Sequence, residues 1–184
     1  MGKEVACPKM SDGGYPSAEL VVAQLRSCGV THVVTVPDWV QISLHKHLVD
    51  GRCQDIRVVS CSSEDEAMAI SGGLLIAGAT PVVVIQNQGL YASVNGLRAI
   101  GIDARIPIVM MIGQFGREEG NLHEDTQQST RFIVRLLEPL LDTLGIPYFP
   151  LGKESDLANI QKAFDLARKE ETPTAVITEG FLGW

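Results

Sequence analysis

Positive charge is in short supply. Fifteen Lys and Arg against 22 Asp and Glu leave a net charge of −7, which argues against nucleic acid as the main partner, because phosphate binding needs a concentrated basic surface. Cysteine is equally sparse. Cys7, Cys28, Cys53 and Cys61 form no CxxC pair, so neither a zinc site nor a redox motif is indicated and reduced thiols are expected. No apolar run is long enough to span a membrane. The opening Met1 to Lys9 lacks the apolar core of a signal peptide, and Ala6 stands where a myristoylation pattern wants Ser or Thr. The expectation is a cytoplasmic chain with no membrane contact.

Nucleotide and acyl-transfer signatures are missing too. Gly73 to Thr80 has P-loop glycine spacing, but Ala79 replaces the lysine that must reach the phosphates. No G-x-G-x-x-G follows the first expected strand, and no G-x-S-x-G elbow exists. His45 and His47 lie two apart on an expected helix, facing different ways, and cannot chelate one metal. No metal ligand set is expected on this chain.

What is present is a regular alternation. At 184 residues the chain fits one domain with a proper core. Residues 1–14 carry Gly, Pro, Lys and Asp without periodicity and read as a flexible arm; residues 15–184 form the domain. Ser17 caps a helix to about Ser27, and Thr31 to Val36 is a β-branched strand run. A helix over Trp39 to Val49 and a strand from Ile56 to Ser60 follow. Next come a small-residue helix from Ser63 to Gly78, a strand Val82 to Gln86 and a helix from about Leu90 to Ile102. Pro107 to Ile112 is a continuous apolar run, as expected of a central parallel strand. A polar loop, Gly113 to Thr130, precedes a leucine-rich helix in which Pro139 predicts a kink. A strand at Tyr148 to Leu151, a helix capped by Ser155 and a last strand at Thr174 to Thr178 close the pattern. Six strands alternating with helices predict an α/β fold, a three-layer domain with a six-stranded parallel sheet. Ligands of such sheets sit beyond the carboxyl ends of the strands.

At those exits the chemistry-bearing residues gather. Glu64 opens a small-residue helix in Ser63-Glu64-Asp65-Glu66, where Ser63 and Glu66 match a capping box and acids suit the helix dipole. The turn Gln86-Asn87-Gln88-Gly89-Leu90 follows the next strand. Pro37-Asp38 leaves the first strand, where Asp38 is equally readable as a helix cap.

Glu64 to Gly73, the Gln86 to Leu90 block and Asn95-Gly96-Leu97 resemble the pyrimidine-binding domain of thiamine diphosphate enzymes. More narrowly, they resemble the alpha subunit of sulfopyruvate decarboxylase and the matching part of phosphonopyruvate decarboxylase. The resemblance covers about Ser17 to Phe181. It implies that Glu64, set at the family's distance before Gly73, hydrogen-bonds the cofactor's ring nitrogen N1′ and activates it, with Asp65 and Glu66 left as surface and cap. The hard chemistry then belongs to the cofactor, and the protein supplies orientation and electrostatics. Gln86, Asn87, Gly89 and Leu90 are implied near the aminopyrimidine, although a plain strand-to-helix turn explains them as well. Pro37, Asp38 and Asn87 are implied on the substrate side, and Arg117, or else Arg105, could pair with an anionic tail of the substrate. The family's Asp-Glu-Pro-Gln-His run stands here as Glu124-Asp125-Thr126-Gln127-Gln128, so its histidine is replaced by Gln128, with His123 upstream as a candidate for proton transfer.

The resemblance also implies Mg2+, held by a Gly-Asp-Gly motif and a downstream Asn. The nearest string here is Ser11-Asp12-Gly13-Gly14, without a preceding strand. The motif is therefore expected on a separate beta subunit, making a hetero-oligomer that decarboxylates a small 2-oxoacid to an aldehyde. Carboligation on the same cofactor, and a non-catalytic structural subunit of this type, are the alternatives.

Overall fold

The computed structural model describes residues 14–50 and 53–184. The expected arm, residues 1–14, lies outside the described residues except for Gly14. The strands are β1 (His32–Thr35), β2 (Arg57–Ser60), β3 (Pro81–Gln86), β4 (Val109–Gly113), β5 (Tyr148–Leu151) and β6 (Thr174–Thr178). All pair in parallel, in the order β2-β1-β3-β4-β6-β5. Burial follows that order. Every residue of β4 and β6 is buried, whereas the edge strand β2 has no fully buried residue, as expected when helices cover both faces of a parallel sheet.

Side-chain alternation along the strands builds two cores. Val82, Val84 and Met111 face one side, with Leu25 of helix α1 (Ala18–Ser27), Leu44 of α2 (Ile42–Val49) and, from later in the chain, Ile160, Ala163 and Phe164. Val83, Ile85, Met110 and Ile112 face the other side, against Ala67 and Met68 of α3 (Glu64–Ile76). Leu97, Leu137 and Leu141 complete that second layer. Leu25, Leu44, Met68 and Leu137 are fully buried, and truncating any of them to Ala is expected to cost about 2–5 kcal/mol.

Local differences from the sequence expectation have physical causes. The helix expected from Leu90 begins at Asn87, directly at the end of β3, and runs as α4 (Asn87–Ala92), α5 (Val94–Gly96) and a π-helical stretch at Leu97–Asp103. Pro139 does not kink a long helix. The break falls at Leu136, between α6 (Phe132–Arg135) and α7 (Leu137–Leu144), which puts Pro139 in the first turn of α7, where no amide needs an intrahelical acceptor. Ser155 is not the cap of the next helix. The Asp156 carboxylate accepts from the Gly152 and Lys153 amides at 3.1 and 2.9 Å, and α8 (Ala158–Glu170) starts beyond that turn. The 113–130 loop contains two short 3-10 turns, Glu119–Asn121 and Thr126–Gln128.

Candidate active site at the strand exits

At the exit of β2, Ser63 Oγ accepts the Glu66 amide at 3.3 Å, and the Glu66 carboxylate accepts the Ser62 amide at 2.6 Å. Ser63 caps α3 as expected, but Glu66 reaches past the cap to the Ser62 amide, so the reciprocal bond of the capping box to the Ser63 amide is not made. Glu64 is left half-buried, with no hydrogen bond or ion pair among the described residues. It lies across the first turn of α4. A Cβ on Gly89 would come within 2.5 Å of Glu64 Oε1 and 2.6 Å of its Cδ, so only glycine allows this approach. The result is a carboxylate with unused acceptor capacity, pressed against a backbone free of side chain.

The other residues of that turn divide. Asn87 is fully buried. Its amide donates to Phe115 O at 3.1 Å and Ile133 O at 3.3 Å, and its oxygen accepts the Gln88 amide at 3.0 Å. Asn87 therefore ties the β3 exit to the long loop and to α6, and its side chain is taken up by that task. Gln86 is half-buried and donates to Gln88 Oε1. The Leu90 side chain belongs to the core.

Pro37 is exposed, but Asp38 is buried at 1% exposure. It is not the cap of α2, whose N-cap is Gln41. Its carboxylate instead accepts the Val40 amide and Gln41 Nε2, both at 2.8 Å, while the Asp38 amide donates to His45 Nε2 at 3.0 Å. Burial pushes the Asp38 carboxyl above the ordinary range, and the Gln41 and Val40 bonds pull it partly back. Burial also lowers His45 to about 4, so its ring is neutral and Nε2 is free to accept. Gln41 completes the network, donating toward Ile85 O and Met111 O and accepting from Thr178 Oγ1.

Above this network lies a cleft of about 640 Å³, walled by Tyr15, Trp39, Gln114, Arg117, His123 and Arg131 among others. His123 adopts φ 64°. Its Nδ1 stands 3.3 Å from Glu179 Oε2, and its ring stacks on Tyr15 with centroids 5.7 Å apart. Gln128 is exposed and is not among the residues that wall the cleft. Arg117 walls the cleft but is held by the loop: Nε and Nη2 reach Asn121 O, Nη2 also reaches Glu124 O, and Nη1 reaches Gln114 Oε1 at 2.5 Å. Glu118 is held by Thr130 and Ser129, whose hydroxyls lower its carboxyl to about 2. Arg105 takes no part in the cleft; it pairs with Glu171 at the surface.

Sequence reading marked the strand exits that hold Trp39 and Gln114 without giving either residue a role, and it did not single out Arg131, Glu179 or Tyr15. Gln114 follows β4 directly, so the rule that ligands gather at strand exits was a signal able to find it. The others come from distant segments that only the fold brings together. Among the described residues no group of three His, Cys, Asp or Glu converges as a metal site, and no helix is long and apolar enough to cross a membrane.

A family model described as the thiamine pyrophosphate enzyme N-terminal TPP binding domain matches residues 17–133. The sulfopyruvate decarboxylase subunit alpha of Methanococcus maripaludis is 26% identical over 164 residues, covering 89% of this chain and 94% of that protein. The protein of the same name from Methanothermobacter thermautotrophicus is 31% identical over 124 residues, covering 66% of this chain and 74% of that one. Benzoylformate decarboxylase from Polynucleobacter necessarius superposes with a TM-score of 0.64 at 16% identity, over 89% of this chain. This chain spans 29% of that structure's length, and the likeness speaks for the fold. With the parallel sheet, the Glu64–Gly89 contact and the matched family model together, this chain belongs to the thiamine pyrophosphate enzymes, as an N-terminal, cofactor-binding domain of that family.

Proposed function

We propose that this chain is the pyrimidine-binding subunit of a thiamine diphosphate-dependent decarboxylase for a small 2-oxoacid of the sulfopyruvate or phosphonopyruvate kind. The observation that carries this reading is Glu64, a half-buried carboxylate without a partner, laid against Gly89. The residues fit the cofactor, since the acceptor needed at ring nitrogen N1′ is free and the neighbouring backbone carries no side chain to obstruct it. Thiamine diphosphate, when bound, supplies the electron sink for loss of carbon dioxide.

This chain's own residues then do the following. Glu64 would hold a proton at N1′ through Oε1, a task suited to a carboxylate shielded from water on one side. Asn87 fixes the loop that closes the adjoining cleft. His123, with Tyr15 stacked on its ring and its Nδ1 3.3 Å from Glu179 Oε2, would be the residue that returns a proton to the product. The Gly-Asp-Gly motif and the downstream Asn that would hold Mg2+ and the diphosphate are assigned to a beta subunit. Two observations support that assignment: the motif does not occur in this sequence, and the relatives are named as subunits alpha.

The test is co-expression with a second chain carrying Gly-Asp-Gly, followed by an assay of carbon dioxide release across a panel of 2-oxoacids. Carbon dioxide and an aldehyde are expected only when both chains, thiamine diphosphate and Mg2+ are present. Turnover by this chain alone, or release from no 2-oxoacid, overturns the reading.

A further inference from the structure

Two residues lining the cleft carry buried polar atoms without a hydrogen-bond partner, Gln114 at Nε2 and Glu179 at Oε2, and the Gln114 atom is a donor. Gln114 is 2% exposed, and its Nε2 has no hydrogen-bond partner. Its orientation is not free to change, because Oε1 accepts from Arg117 Nη1 at 2.5 Å. The amide nitrogen is therefore turned from Arg117 and left without an acceptor, in a residue that lines the cleft. Leaving such a donor buried and unmet is costly, so its presence calls for an explanation such as a bound group that it would meet.

Two cations line the same cleft. The Arg117 guanidinium makes its bonds to carbonyl and amide oxygens, and among the described residues no carboxylate neutralises it. Arg131 makes no side-chain hydrogen bond or ion pair among the described residues, and it also walls the cleft. Its Cδ and Nη1 lie 3.7 Å from where a Gly116 Cβ would stand, so it is packed on the same Gln114 to Arg117 turn. The acids of the cleft gather at Tyr15: Glu179 and Glu119 raise the Tyr15 hydroxyl after burial has done so, and Glu179 is the partner of His123. Gln114, Arg117 and Arg131 thus supply donors to the cleft and Glu119 and Glu179 supply acids, with Arg117 acting on the Tyr15 hydroxyl against them. The Gln114 turn adjoins the cofactor corner, since Gly113 is in register with Gln86 and Asn87 bonds Phe115 O.

We propose that Gln114 Nε2 and the Arg131 guanidinium form the subsite for the second anionic group of the substrate, a sulfonate or phosphonate oxyanion, and so set the enzyme's preference among 2-oxoacids. This rests on the decarboxylase reading above and deepens it. The donors suit the tail and not the carboxylate that leaves. A carboxylate becomes neutral carbon dioxide, and donors that hold its charge stabilise the ground state over the transition state. A sulfonate keeps its charge throughout, so holding it strengthens binding without opposing the reaction. Arg117, the cation the sequence singles out, acts as a positioning residue that aims Gln114.

The test uses the full-length chain, titrated with sulfoacetate and, separately, with acetate, while the 15N resonances of the Gln114 side-chain amide are followed. A saturable shift with sulfoacetate and none with acetate at equal concentration is expected. Arg131→Leu should weaken sulfoacetate about tenfold to a hundredfold, the range of a charge-assisted hydrogen bond, and Arg131→Lys should restore part of it. In the assembled enzyme, Arg131→Leu should lower kcat/KM for sulfopyruvate relative to pyruvate by a similar factor, through KM. An unmoved Gln114 amide, an equal response to acetate, or an unchanged ratio overturns the proposal. Sulfoacetate binding that persists in a chain inactive with every 2-oxoacid would sink the reaction and uphold the anion subsite.

Discussion

Glu64 and Asp38 are two carboxylates at the exits of adjacent strands, and the fold treats them in opposite ways. Asp38 is sealed in and accepts bonds from Val40 and Gln41, as a buried charge must be if its burial is not to unfold the protein. Each of its oxygens has a partner, and these bonds tie the exit of β1 to the residues that lead into α2. Glu64 stays half-open with no partner, while its neighbours Ser63 and Glu66 bond the amides at the helix start. The same functional group is structural where its bonds are complete and available for chemistry where they are absent. Arg117 and Arg131 repeat the contrast among the cations.

The largest expected effect comes from removing the charge of Glu64 while keeping its shape. Glu64→Gln should reduce turnover of the assembled enzyme by about 10²- to 10⁴-fold, the worth of a positioned acid or base. Its thermal stability should change little, because all that is lost is one favourable charge at a helix start, about 0.3–1 kcal/mol. Turnover within a few-fold of the native enzyme would remove Glu64 from the reaction.

His45 tests the sealed side of the comparison. Its folded pKa of about 4 lies below the ordinary 6.5, so the unfolded chain binds a proton that the folded chain refuses. A group depressed in this way contributes stability that is full above pH 6.5 and is lost as the pH falls toward 4. The loss is about 3 kcal/mol, from roughly 1.4 kcal/mol per unit. Asp38, raised by burial, works with the opposite sign, since its protonation on acidification favours the folded state. Urea unfolding of His45→Gln should therefore show a flatter stability profile between pH 6.5 and 4 than the native chain. Parallel profiles would mean that His45 already titrates in the fold as it does in the unfolded chain.

Exchanging the sealed acid is the mirror of Glu64→Gln. Asp38→Asn sets an amide donor against either the Val40 amide or Gln41 Nε2. Gln41 cannot turn to relieve it, because Thr178, Ile85 and Met111 fix both of its ends. A loss of about 1–3 kcal/mol in unfolding free energy is expected. A midpoint in urea equal to that of the native chain would show the network to be loosely held.

Much of this contrast was legible in the sequence, and its limits were physical. The strands were readable because β-branched and apolar runs such as Pro81 to Gln86 are bounded by turn residues, and Glu64 stood out by its spacing to Gly73 and the Gly89 turn. Asp38 read equally as a substrate-side residue and as a cap, because the sequence gives no sign that Gly113, on another strand, lacks the Cβ that would crowd its carboxyl carbon at 2.8 Å. Arg117 read as the substrate cation because its acceptors, the carbonyls of Asn121 and Glu124, are backbone atoms with no signature in residue type. Whether a polar group is partnered is a tertiary property, and partnering is what separates Gln114 Nε2 from the amides around it.

Gly89→Ala is the smallest change and probes the contact on which the assignment of Glu64 rests. Alanine is the better helix former by about 1 kcal/mol, and Gly89 sits inside α4, so backbone propensity alone predicts a slightly more stable protein. The added Cβ falls 2.5–2.6 Å from Glu64 Oε1 and Cδ, and a half-open side chain can swing away from it at little cost in folding. Stability should then stay within about 1 kcal/mol of native, because the helical gain offsets the displaced contact. Activity should fall about tenfold to a hundredfold, since a carboxylate displaced by an ångström no longer meets its proton. Paired unfolding and turnover measurements separate the two. Loss of stability without loss of turnover would make Gly89 a packing residue and Glu64 a bystander, whereas loss of turnover in a protein of unchanged stability locates the function in the position of one carboxylate.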